Sequence, residues 1–169
     1  MPYDCREAAN FVLDRADELG LPVTNFHLNK VLYFCHGWWM TEFGGEPFID
    51  QEFEAWQHGP VVRTLYQQFR SFGKEPIAGR ATKLDSATGS RIVVRYRFSN
   101  FEADFASQVM DFYIQMPFSR LYEVAHVKDG PWDRVWHHDS LSNPGMIIPN
   151  ELIRDFFDSW NFRIRRRVT

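Results

Sequence analysis

The chain has little cysteine, with only Cys5 and Cys35 in 169 residues. Two thiols without a secretory context read as reduced, small apolar side chains, which excludes a disulfide framework. The opening MPYDCREAAN contains no apolar signal region. No run approaches the ~18 apolar residues that a membrane span needs. The expectation is a cytoplasmic protein with no membrane partner. Basic charge is not in excess either: 19 Lys and Arg stand against 22 Asp and Glu, for a net charge of −3. That balance argues against nucleic acid as a partner held by general electrostatics. There is no phosphate-cradling loop, nucleophile elbow, internal repeat or low-complexity tract. His36, His58, His126, His137 and His138 are scattered, whereas a zinc site needs three or four ligands with tell-tale spacing. Neither a metal nor a cofactor is expected.

What the chain has in quantity is aromatic surface. Aromatic residues make up 17% of it, including six Trp and sixteen Phe. Most such rings belong in a core. The surplus points to a few rings at a partner surface, where Trp and Tyr act as anchors. The length fits one domain with a sizeable core. Charge is concentrated at one place, the tail Arg163-Ile164-Arg165-Arg166-Arg167, which reads as a solvated basic end or a contact for phosphate or an acidic partner.

The pattern of the chain alternates helix signals with short strand signals. Asp4 and Glu7 have capping-box spacing, and Ala8, Phe11, Val12 and Leu19 follow at helical intervals until Gly20 and Pro22. Thr24 or Asn25 can cap a second helix. Leu28, Val31, Leu32, Cys35 and Trp39 form its stripe, but Tyr33, Phe34 and Trp38 load the other face, so this helix should be central. Residues 52–56 alternate like a half-buried strand. Gly59 then permits a sharp bend, and Pro60 suits the first turn of a helix carrying Val62, Leu65, Phe69 and Phe72. A weak strand near Ala81–Leu84 and a clear one over Arg91–Phe98 predict an antiparallel hairpin with an arginine-bearing outer face. Ser99 with Glu102 is a second capping box, Ser119 can cap a shorter helix, and Pro131 can open another. Asn143-Pro144-Gly145 marks a turn, and Pro149 leads into a last helix. The fold class is α+β: a single, mostly helical domain over residues 1–160 with a small antiparallel sheet or hairpin, followed by a basic tail, 161–169.

Chemistry is thin in this pattern. Cys35 with His58 or His126 could form a nucleophile pair, but a buried thiol away from a positive end is inert. Asp50 with Glu52 or Glu54 could supply acid and base, and reads more simply as an exposed strand edge. The sharpest local signal is His58-Gly59-Pro60, whose tightly specified bend leaves Trp56 and His58 at a rim. Gly130-Pro131-Trp132 repeats the arrangement, and the two turns can meet in space. Trp38 and Trp39 are adjacent and point to different faces, so one belongs in the core and the other can anchor a partner. The candidate partner-binding residues are therefore Trp38, Trp39, Trp56, His58, Pro60 and Trp132.

Four blocks, in order, resemble the SocA-like or Panacea antitoxin domain. They are Leu28-Asn29-Lys30-Val31-Leu32-Tyr33-Phe34, Glu54–Val62 (EAWQHGPVV), Ala125-His126 with Pro131-Trp132 after four intervening residues, and Ile148-Pro149-Asn150-Glu151 leading into the closing helix. The resemblance spans nearly the whole chain to about Phe157, with Val31 and Cys35 as small departures. It implies an antitoxin that neutralises a cognate protein toxin by direct binding, without chemistry, in a family associated with phages and mobile elements. It also implies, as alternatives, an adaptor that hands the toxin to a protease. A small Cys/His hydrolase is the reading from another class.

Overall fold

The computed structural model describes residues 1–137 and 144–167, with side chains as far as Trp160 at the C-terminal end. The expectations for His138, for Asn143 and for the side chains of the basic cluster lie outside these residues.

A helix that is apolar on almost every side must be enclosed by other elements. Helix α2 (Asn25–Glu42) is enclosed, with Leu28, Val31, Leu32, Phe34 and Cys35 all fully buried. Around it pack α1 (Cys5–Leu19), α3 (Arg63–Phe69), α4 (Asn100–Gln115), α5 (Phe118–Ala125) and α7 (Asn150–Arg167). A short α6 (Pro131–Trp136) lies against the sheet. At Gly37 the enclosure becomes tight, because a Cβ there would overlap the ring of Phe157 from α7. None of the described helices is long and apolar enough to cross a membrane.

Strands β1 (Phe53–Trp56), β2 (Gly59–Val61) and β5 (Ile147–Ile148) form one antiparallel sheet in the order β2-β1-β5. Strands β3 (Thr82–Leu84) and β4 (Arg91–Val93) form a separate antiparallel hairpin. The mostly helical α+β fold with small antiparallel sheets is thus as expected.

Several local expectations need correction. Pro60 does not open a helix; it sits in β2 opposite Ala55, and α3 starts three residues later at Arg63. Strand β2 is at a sheet edge, where a missing N–H removes no ladder bond. The strand predicted over Arg91–Phe98 stops at Val93. Beyond it the backbone runs along α1, whose side chains take the place of a partner strand: Asn10 Nδ2 donates to the Val94 carbonyl, and Glu7 Oε2 accepts from Arg97 N–H. Glu7 is therefore not part of a capping box, and Asp4 caps α1 alone by accepting from Arg6 N–H. Ser119 does not cap α5, which begins at Phe118 behind Pro117. The Ser99–Glu102 capping box has both of its hydrogen bonds. Pro131 occupies the first turn of α6.

Candidate partner-binding site

The site begins with a bond between two sequence blocks. On α2, fully buried Asn29 donates to the Asn25 carbonyl and accepts from Val62 N–H at 2.8 Å, which pins the end of β2 to the helix. Asn25 Nδ2 in turn donates to the Tyr66 carbonyl of α3. The β1–β2 turn then has to pass over the next helical position, Lys30. Gly59 makes this pass with φ +117°, a conformation that disfavours L side chains. A Cβ at Gly59 would lie 3.3 Å from Lys30 Cε and 3.2 Å from His126 Cε1, so the turn is held close against both.

The Gly130-Pro131-Trp132 turn arrives from the other side. Trp132 Nε1 donates to the Trp56 carbonyl at 2.7 Å. The His126 ring lies 4.2 Å from Trp132 and stacks on Tyr122 at 3.9 Å, with Nδ1 at 2.6 Å from the Tyr122 carbonyl. The two turns do meet, through His126 and Trp132. A continuous aromatic rim results: Trp56 on Tyr66, Tyr66 on Phe26, Phe26 on His58, His58 on Tyr122. Trp136 extends it by stacking on Trp132. His58 is exposed, and Phe118 and Trp136 keep 46% and 37% of their surface open.

At the floor lies Lys30, 1% exposed. Its Nζ stands 5.4–5.5 Å from the ring centres of Phe26, Phe118 and Tyr122. Burial pulls its pKa down to about 8. His27 and His126 are also pulled down, chiefly by burial, with the Lys30 charge acting in the same direction. The carbonyls of Tyr113 and Gln57 oppose this, but neither histidine's Nε2 has a hydrogen-bond partner.

The six residues singled out from sequence divide unevenly. Trp56, His58 and Trp132 come together at the rim, with Trp132 6% exposed as its support. Pro60 is buried in β2. Trp39 is 4% exposed and packs on Phe43 and Phe48, so it is the core member of its pair. Trp38 is the half-buried member; it donates to Tyr113 Oη and stacks on Trp160, on a face formed with α7. The histidines are less scattered than their spacing suggests, since His27, His58 and His126 gather around Lys30. They do not converge as ligands: among the described residues, the trio of ligand atoms close enough to share an ion is Asp4, Cys5 and Asp50, at the start of α1. Cys35 is fully buried, and burial pushes its thiol up, the reverse of what a nucleophile needs. Glu54 is not a bare strand edge; it accepts from Trp56 Nε1 and pairs with Arg63 at 2.8 Å.

Sequence reasoning passed over Lys30, His27, Phe26, Tyr66, Phe118 and Tyr122. Lys30 carried a partial signal, as the one lysine or arginine in α2.

Residues 28–133, the stretch that contains Lys30, both turns and His126, match the family described as Antitoxin SocA-like, Panacea domain. The chain belongs to this family. It is also similar to a protein named Antitoxin SocA from Caulobacter vibrioides (strain NA1000 / CB15N), with 34% identity over 155 residues that cover 91% of this chain and 82% of the relative. No solved structure matches significantly. The Panacea match encloses most of the aromatic rim but stops short of α7 and Trp160.

Proposed function

We propose that this chain is the antitoxin of a toxin–antitoxin pair, and that it neutralises a cognate protein toxin by binding it directly and covering its active surface. The observation that carries the reading is family membership over the residues that build the rim. The rim suits the task physically. It carries rings on three separate elements, α2, α5 and α6, while Val62 N–H bonded to Asn29 and Trp132 Nε1 bonded to the Trp56 carbonyl tie the β1–β2 turn to α2 and α6. Pre-organised aromatic anchors bind with little loss of side-chain freedom. Within this reading Trp56 and His58 contact the toxin, and Trp132 and Pro60 hold the rim in shape. Trp38 belongs to a second face. The protein acts in the cytoplasm, without catalysis.

Co-expression with the adjacent open reading frame tests this. Growth should be rescued and a stable complex should co-purify. His58→Ala and Trp56→Ala should weaken that complex while leaving the fold intact, since truncating an interface anchor costs about 2 kcal/mol or more. Rescue with no complex, and a partner that vanishes in a pulse-chase, would replace masking with delivery to a protease. An adjacent product that is neither toxic nor bound would remove the reading.

A further inference from the structure

Most other buried polar side chains in this fold are answered, with His36 Nδ1 as an exception away from this site. Glu7 accepts from Arg97 N–H, with the Arg97 guanidinium at 3.6 Å. Asn10 bonds Ala81 and Val94, Asn25 and Asn29 bond each other and the β2–α3 backbone, and His36 meets Asn150. Lys30 is different. Among the described residues it is the one lysine or arginine in the buried set, and it has no carboxylate or hydrogen-bond partner. Three rings attract its charge, but they accept no ordinary hydrogen bond from its three N–H donors. Beside it stand two further unpaired polar atoms, His27 Nε2 and His126 Nε2. A folding core gains nothing from such a cluster.

We propose that Lys30 is the receptor for a single carboxylate side chain of the protein partner, an Asp or Glu that enters between the rings of Phe26, Phe118 and Tyr122. This inference rests on the reading that the chain binds a protein toxin. The chemistry selects a carboxylate on three grounds. The site offers one full positive charge, which matches a monoanion. It offers no guanidinium fork of the kind that grips phosphate in two-point fashion. Its collar is apolar, which suits the methylene stem of an acidic side chain. The collar has a solvent-facing side: Phe118 is 46% exposed, and His58, which lies against Tyr122, is open to solvent. Gly59 lets the turn close on the lysine, since a Cβ there would stand 3.4 Å from Nζ.

Two measurements distinguish a failure of this inference from a failure of the antitoxin reading. In the first, the isolated full chain is titrated with sodium acetate, with sodium chloride at equal ionic strength as control and sodium phosphate as a second anion. Acetate should cause saturable amide shifts at His27, Gly59 and His126 in the wild type and none in Lys30→Met. Shifts from phosphate alone, shifts that persist in Lys30→Met, or no saturable shift at all would overturn the inference. In the second, the complex with the adjacent gene product is measured. Lys30→Met should melt at a higher temperature than the wild type and bind about 100-fold more weakly, as expected when one member of a desolvated charge pair is lost. A scan of the partner's Asp and Glu residues to amides should find one position that reproduces this loss and has no further effect on Lys30→Met. Wild-type affinity in a folded Lys30→Met chain would overturn the inference. A wild-type chain that fails to bind the partner sinks the antitoxin reading instead, and the acetate titration then decides whether Lys30 takes a carboxylate.

Discussion

The two ends of α2 are built on opposite principles. From Tyr33 to Met40 the helix is walled by rings: Phe34 stacks on Tyr113 at 4.3 Å, Trp39 lies on Phe48 at 4.3 Å, and Phe157 presses on the Gly37 backbone. Only His36 interrupts this end; its Nε2 meets Asn150 at 2.9 Å, while its Nδ1 has no hydrogen-bond partner. From Asn25 to Lys30 the same helix carries four buried polar side chains, Asn25, His27, Asn29 and Lys30. One end is optimised for folding. The other holds Lys30, an ammonium group with no carboxylate or hydrogen-bond partner, beside His27, whose charged form the Tyr113 carbonyl alone favours. What separates the two ends is the buried, unpaired ammonium group of Lys30.

The contrast can be broken most severely at the closed end. Phe157→Ala should lower stability by about 3–5 kcal/mol, as in other fully buried Phe truncations, measured by urea denaturation. A loss under about 1 kcal/mol would mean that α7 is not integral to the core. Next comes acidity. Burial holds the pKa of His36 at about 4 against an ordinary 6.5, so the unfolded chain binds the extra proton first. That part of the stability is whole above pH 6.5 and is lost as pH falls towards 4, about 3 kcal/mol in all. Replacing His36 with Asn should flatten this part of the pH–stability curve; an unchanged slope would place the titration elsewhere.

At the open end the sign should reverse. Lys30→Met should raise stability at pH 7 by up to about 3 kcal/mol, because the folded state disfavours the ammonium form. The gain should be full below pH 8 and fade as pH rises through 10.5, where the wild-type lysine is neutral in both states. A destabilised Lys30→Met would show that the rings hold the cation to the benefit of the fold. The smallest effect is expected at Asn29, the neighbour of Lys30 at the open end. Asn29→Ala should lower stability by about 2 kcal/mol, because Val62 N–H and the Asn25 carboxamide lose a buried partner. Denaturation midpoints would check this, and a neutral result would mean that the turn is held by packing alone.

The same contrast explains how far the sequence could be read. The enclosed helix, the Ser99–Glu102 box, the glycine stop at Gly20 and the hairpin at 82–93 are local chemistry, and each follows from neighbours a few residues apart. Errors arose where a distant segment took over a local group. Glu7 bonds Arg97 rather than its own helix start, and Pro60 pairs with Ala55 rather than opening a turn. The site was half legible. His58, Trp56 and Trp132 stood out because glycine and proline punctuate their turns. Lys30 showed only as the one lysine or arginine of α2, and its lack of a counter-charge is visible only once the surrounding elements are in place.

The pairing of Phe53 with Ile148, followed by Phe157 packing on Gly37, has a consequence for timing. A ribosome that has just released β1 must add roughly 95 residues before β5 can join it, roughly 5–20 s of synthesis. Until then α2 lacks one wall, and a growing chain presents that bare flank to the cell. The fold therefore closes only after α7 has emerged, and the flank of α2 that Phe157 covers is the last part of the core to be sealed.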